Sequence, residues 1–541
     1  MRVLFYIPLI LMVGSVNAHN ATHLFSENQR ESQLQLLDIQ KSRQENWLKQ
    51  HEFQATDRQT PLENLSNYCL PYHNLVFIGV TLIDPTPFAP KENECLSENR
   101  LNQLSRDITN AYLKEGYIHN PFQFEDDETG VLRMNVKEGK VVHIRSQSSR
   151  LNSKMLFPHL MNSKLKIQDL DQGLDQAAKL ASSNVSVDVL PSKNGNIELV
   201  FSSDDSFPVN GHLELNNNAS KQYGMWQLKS AMSIDNTLGL SDSLYFVAQS
   251  TLKDWQKKYS RSVNFYHSIP YGYWSFNTFA SYSYFRSPIQ LPFSQAVQKG
   301  RTWQAGVKTD YTFHRGKNHI STASLQLERI DARSFFNDSL LDIASYKLTT
   351  LQANLNHLQL FSQSSLGINL NYERGLKWWG ALADQGKDQP QGQFNKWNID
   401  LSWRHYFYLK DKYLLNYFVQ LSGQYSDNYL PSSKQVELLS DNSVIGFRQF
   451  SLSAEKQVVL KNQLAWLYSI KDWKIEPKLY LDIGAQKATG QESHTIKAFG
   501  YGLGLRLAKG NFETTTQIAR GKVIKEGLTE STFKAFVRFY F

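Results

Sequence analysis

From residue 209 to the last residue the chain alternates with period two, and this constrains its fold more than any other feature. At 478–485, Leu479, Leu481, Ile483 and Ala485 alternate with Lys478, Tyr480, Asp482 and Gly484. The same rhythm runs through 414–425 and 501–507, where Tyr501, Leu503, Leu505 and Leu507 flank Gly502, Gly504 and Arg506. Period two places successive side chains on opposite faces of a strand. Here one face is apolar and the other polar or small, as a membrane barrel with a wet interior requires. A soluble β-sandwich shows the same period with shorter strands and fewer aromatics. Aromatics make up 13% of this chain, which favours the barrel. Past the first 20 residues no apolar run reaches the ~18 residues a membrane helix needs. The 333 residues at 209–541 hold about 16 strands at ~21 residues per strand plus connection; 14 and 18 are the neighbouring counts.

The front of the chain differs. Arg2, the apolar run Val3 to Val13 and the small-residue pattern Val16-Asn17-Ala18 predict a secretory signal peptide over 1–18 and an exported mature chain. Residues 19–208 carry a net charge of −6 and residues 209–541 a net of +13. No basic segment has nucleic-acid motif spacing. Cys69 and Cys95 are the two cysteines; in an oxidising compartment they suggest one disulfide, with two free thiols as the other reading. Residues 24–54 lack Gly and Pro and carry only a thin apolar stripe (Leu34, Leu37, Trp47, Leu48). They predict a helix in polar surroundings, either a solvated coiled-coil segment or a helix lodged in a water-filled channel. A linker follows at 55–68, then two compact α+β units divided as 69–146 and 147–208.

The end of the chain is a local sign of its own. Phe533, Ala535, Val537, Phe539 and Phe541 alternate up to a terminal aromatic, with Lys534 and Arg538 on the opposite face. This resembles the signal by which outer-membrane barrels are recognised and closed. At larger scale the chain resembles the transporters of two-partner secretion, a branch of the barrel-assembly superfamily. Four segments carry the likeness: Cys69 through Cys95 with the helix NAYLKEGYIHNPF, VKEGKVVHI at 136–144, FPHLMNSKLKIQDLDQGLDQAAKL at 157–180, and the barrel text at 266–276 and 424–466. The resemblance implies a mainly β fold: a plug helix, two periplasmic POTRA domains and a 16-stranded antiparallel transmembrane β-barrel.

Members of that family carry a Val-Arg-Gly-Phe/Tyr tip on a long loop folded back into the barrel, where the Arg meets an Asp of the inner wall. The matching residues here are Val444, Ile445, Gly446 and Phe447, so Ile stands at the Arg position. The wall motif remains as Asp482-Ile483-Gly484, and Arg448, one residue past the tip, could reach a carboxylate instead. The resemblance also implies export of one large exoprotein with an N-terminal secretion domain, a haemolysin, an adhesin or a contact-dependent growth-inhibition toxin; the overall impression leans towards toxin or adhesin. Its other implied partners are outer-membrane lipid and lipopolysaccharide, and the barrel assembly machinery during biogenesis. A lumen of net positive charge and a monomer that closes its own barrel are expected. No phosphate loop, Gly-x-Ser-x-Gly or His-Glu-x-x-His occurs, so no enzyme, cofactor or metal is expected. A barrel assembly factor is the alternative.

Overall fold

The computed structural model describes residues 68–541, apart from 92–93, 127–128, 221–222, 253–256, 291–293, 385, 387–388, 410–412, 441, 449, 451 and 491–493. The expected signal peptide, plug helix and all but the last residue of the linker lie outside the described residues.

Two α+β units of the same topology come first. Strand β1 (Asn74–Ile78), helix α1 (Glu98–Lys114), β2 (Phe122–Asp126) and β3 (Val131–Val136) form one. Its sheet has the order β1-β3-β2. The Ser97 hydroxyl caps α1 by accepting from Arg100 N–H, supplying an acceptor for an otherwise orphan donor. Leu104, Ile108 and Tyr112 of α1 pack on Leu75, Leu132, Met134 and Val136. A disulfide joins Cys69 to Cys95, tying the segment before β1 to the start of α1.

The second unit contains β4 (Val141–Ser146), the short α2 (Ser153–Leu156), α3 (Ile167–Ala177), β5 (Ser183–Pro191) and β6 (Ile197–Asp205). Here β4 pairs parallel to β6 and β5 antiparallel to it. This corrects the division at 146: residues 141–146 supply a strand to the second sheet, so the joint falls at 137–140.

From Val209 onward sixteen long antiparallel strands close into a barrel, with a two-residue extension at Ser339–Leu340. The strands run from 8 residues (Val209–Asn216) to 22 (Gln295–Gly316). Their outward residues form an apolar belt: Leu503 and Ile518 are each 63% exposed, and Leu355 52%. A belt of that extent has no place on a water-soluble surface, and in a bilayer it is the lipid face. Inside, Asn264, Ser283, Ser334 and Thr350 are buried.

The first strand and the last (Thr529–Tyr540) close the barrel over a short register, Phe536–Tyr540 against Asn216–His212. Phe541 and Gly211 extend it by exchanging backbone hydrogen bonds of 2.9 and 3.1 Å. The Asn217 side chain continues the ladder, accepting from Ala535 N–H and donating to the Phe533 carbonyl. On the inner face Arg538 pairs with Glu214 at 2.5 Å across this seam. Phe533, Val537, Phe539 and Phe541 all face outward and are exposed.

Candidate functional site

The second α+β unit is clamped to the barrel mouth. The tight turn at Gly272-Tyr273 takes the left-handed backbone at Gly272, and its N–H donates to Met155 O at 2.8 Å. Gln176 of α3 donates to the carbonyls of Gly272 and Trp274. Buried Arg315, near the end of the strand Gln295–Gly316, pairs with Asp175 at 2.5 Å. These polar contacts fix the unit beneath the lumen.

The joint between the two units centres on Glu138. Its carboxylate accepts from Thr81 N–H and hydroxyl, Leu82 N–H and Tyr112 hydroxyl, at 2.5–2.9 Å. Lys164 of the second unit lies 3.6 Å away. Burial pushes the Glu138 carboxyl pKa upward, but the hydrogen bonds from Thr81, Leu82 and Tyr112 outweigh it and hold it below the usual value. In the sequence this residue stands out only as part of the segment VKEGKVVHI at 136–144.

At the far end of the barrel, residues 426–455 leave the strand Tyr413–Tyr425 and fold back into the lumen before Lys456–Ile470 begins. A two-residue ladder, Val436–Glu437 with Ser453–Ala454, closes the loop's neck. Its tip is buried: Val444, Ile445 and Phe447 are 0%, 4% and 1% exposed. Val444 and Phe447 pack with Leu438, Leu439, Val459, Ala498 and Val523. Three wall glycines on neighbouring strands make room for this loop. A Cβ at Gly500 would sit 2.1 Å from Ile445 O, one at Gly521 2.3 Å from the Phe447 ring, and one at Gly484 2.6 Å from Leu438. Together these three glycines form a shelf for the loop.

Asp482, 1% exposed, accepts from the backbone N–H of Ile445 at 3.2 Å. The wall carboxylate therefore meets the residue at the Arg position, through its main chain. Arg448 does not reach Asp482: its N–H donates to Glu530 at 2.9 Å and its guanidinium to Phe533 O at 3.4 Å.

A second attachment lies at the base of the loop, and sequence reading missed it. Lys434, 3% exposed, pairs with Glu373 at 2.7 Å and Glu328 at 3.3 Å. Lys396 meets the other oxygen of Glu373 at 2.8 Å. Gln424 donates to Lys434 O, and Gln304 and Gln352 donate to Glu328. The charges balance and are hydrogen-bonded, the condition under which a buried cluster is tolerated.

Elsewhere inward bases also find acids: Arg506 meets Glu476 and Glu513, and Lys308 meets Asp310. In these pairs each inward base has a carboxylate partner, which lowers the cost of burying its charge inside a crowded pore.

A closed barrel of this size, entered through two stacked α+β units and holding its own loop in the lumen, defines a protein-conducting pore of the bacterial outer membrane. The family described as haemolysin secretion/activation protein ShlB/FhaC/HecB matches residues 195–507. A ShlB-type POTRA domain matches 70–139 and a further POTRA domain 132–191. Hemolysin transporter protein HpmB of Proteus mirabilis is 31% identical, over 85% of this chain and 83% of the relative. Hemolysin transporter protein ShlB of Serratia marcescens is 30% identical, over 88% and 86%. The solved structure of CdiB from Escherichia coli shares the fold with a TM-score of 0.83 and 24% identity, covering 95% of this chain and 98% of that one. The chain belongs to the ShlB/FhaC/HecB family, the outer-membrane transporters of two-partner secretion. Its barrel spans the outer membrane and its POTRA domains stand in the periplasm.

Proposed function

We propose that this transporter exports one large exoprotein, of the haemolysin kind carried by the relatives named above, with an adhesin or a growth-inhibition toxin as the other cargo classes. The single observation behind the mechanism is the POTRA clamp at Gly272 and Arg315, which holds the second periplasmic unit directly under the lumen. The exoprotein arrives unfolded and its N-terminal secretion domain docks on the POTRA sheets by adding strands to their edges. It then passes the lumen once the loop 426–455 has moved. Folding outside makes passage one-way without ATP.

In this reading the loop tip Val444–Phe447 on Asp482 and Gly484 is the resting lock, with Lys434 as its base anchor. Phe533, Val537, Phe539 and Phe541 serve recognition by the barrel assembly machinery, and lipopolysaccharide covers the outer-leaflet face of a monomeric barrel. The docking step is tested by incubating the purified secretion domain of a cognate exoprotein with the full chain and with a chain deleted for 70–208. Binding to the full chain alone supports docking on the POTRA units; equal binding to both removes them from recognition.

A further inference from the structure

The outward face of the barrel carries an unexpected charge arrangement at its extracellular end. On the strand Gln295–Gly316 the outward residues run upward from Phe313 to Trp303, with both ends exposed aromatics. That interval, at roughly ten residues on a tilted strand, matches the ~25 Å apolar band of an outer-membrane barrel. Tyr282 on the neighbouring strand marks the same upper edge. Above it the outward positions include the bases Arg286, Lys299, Arg301 and Arg333, flanked by Arg261, with the aromatics Tyr284 and Phe335 among them.

Their register is the informative part. Arg286 stands directly opposite Lys299, and Arg301 directly opposite Arg333. Like charges directly opposite on a sheet are destabilising. Two carboxylates lie beside them: Asp338 meets Lys299 at 2.5 Å, and Asp331 meets Arg333 at 3.1 Å. Arg301 lies over the Phe335 ring at 5.7 Å, and Arg261 over Tyr259 at 4.4 Å, which splays both guanidinium groups along the surface. The Nε of Arg286 is shielded from solvent and has no hydrogen-bond partner among the described residues. A shielded donor directly opposite Lys299 calls for an anion, and guanidinium groups match phosphate oxygens in fork geometry.

We propose that Arg286, Lys299, Arg301 and Arg333 bind the phosphate groups of outer-leaflet lipopolysaccharide. The proposal deepens the reading of this belt as the lipid face and rests on it. Aromatic rings below engage the acyl boundary and the bases above take the phosphates, so the site also fixes how deep the barrel sits.

The test uses the full chain in detergent micelles, with native mass spectrometry reporting the lipid retained. The probes are bis-phosphorylated lipid A, dephosphorylated lipid A, phosphatidylglycerol and inorganic phosphate. Wild-type protein is expected to retain bis-phosphorylated lipid A at least about fivefold better than the dephosphorylated form. R286Q/R301Q/R333Q, shown folded by heat-modifiable migration, should lose that preference. Equal retention of the two lipid A forms by wild type overturns the proposal whether or not the variant folds. So does equal retention of phosphatidylglycerol, which marks a generic anionic surface, or displacement by inorganic phosphate, which marks a free-phosphate site. Exoprotein secretion is not read here, so a negative result leaves the transporter reading standing.

Discussion

Ile445 occupies the position where the family pattern has a cation, yet the wall carboxylate Asp482 still meets this residue through the main chain. An amide oxygen accepts the same N–H, so Asp482→Asn keeps this hydrogen bond to the tip. Lys434→Met leaves Glu328 and Glu373 buried without their shared cation, a change that costs about 3–5 kcal/mol. Single-channel recording should accordingly show more frequent openings for Lys434→Met than for Asp482→Asn; the reverse ranking would make the tip contact the stronger of the two holds. Glu138 gives a pH prediction. Its folded pKa lies below the unfolded value, so its contribution is present above about pH 4.3 and is lost as pH falls through the folded value. Protease cleavage between the POTRA domains should therefore rise on acidification in wild type, while Glu138→Gln is cleaved readily at neutral pH and changes less with acid. The tip residues were legible in sequence because they are contiguous. Lys434 was not, since its carboxylate partner Glu328 lies 106 residues away.

At the scale of elements, period two gave the barrel strands away because one face meets lipid and the other the lumen. Their count followed from length alone. The joint between the POTRA domains was misplaced because β4 pairs in parallel with β6, beyond two intervening helices and another strand. Local patterning carries no record of such a partner. The disulfide between Cys69 and Cys95 closes a loop of sequence separation 26, and loop-closure entropy assigns it about 3 kcal/mol. Cys69→Ser should lower the melting temperature of the periplasmic part and leave pore conductance unchanged. An unaltered melting temperature, in the variant or in reduced wild type, would show that the core of α1 on β1 and β3 suffices alone.

For the whole molecule, the division of charge along the chain was visible from the start, but its placement was not. A net of +13 over 209–541 reads in sequence as a basic lumen, because strand alternation does not reveal which inward cations find acids across the barrel. The folded chain matches inward bases such as Lys396, Lys434 and Arg506 with carboxylates and carries Arg286, Arg301 and Arg333 on its outer face. Pairing of this kind leaves less unmatched charge along the pore, which suits passage of an unfolded chain of mixed composition better than a field of one sign. The central claim is that this barrel exports one partner rather than assembling other barrels. Its most direct test is to express the chain with an exoprotein bearing a two-partner secretion domain and assay medium and cell surface for that protein. The account predicts export that requires this chain and disappears on deletion of 70–208, with other outer-membrane barrels at normal levels. No export, together with a general loss of other barrels on depletion, would contradict it.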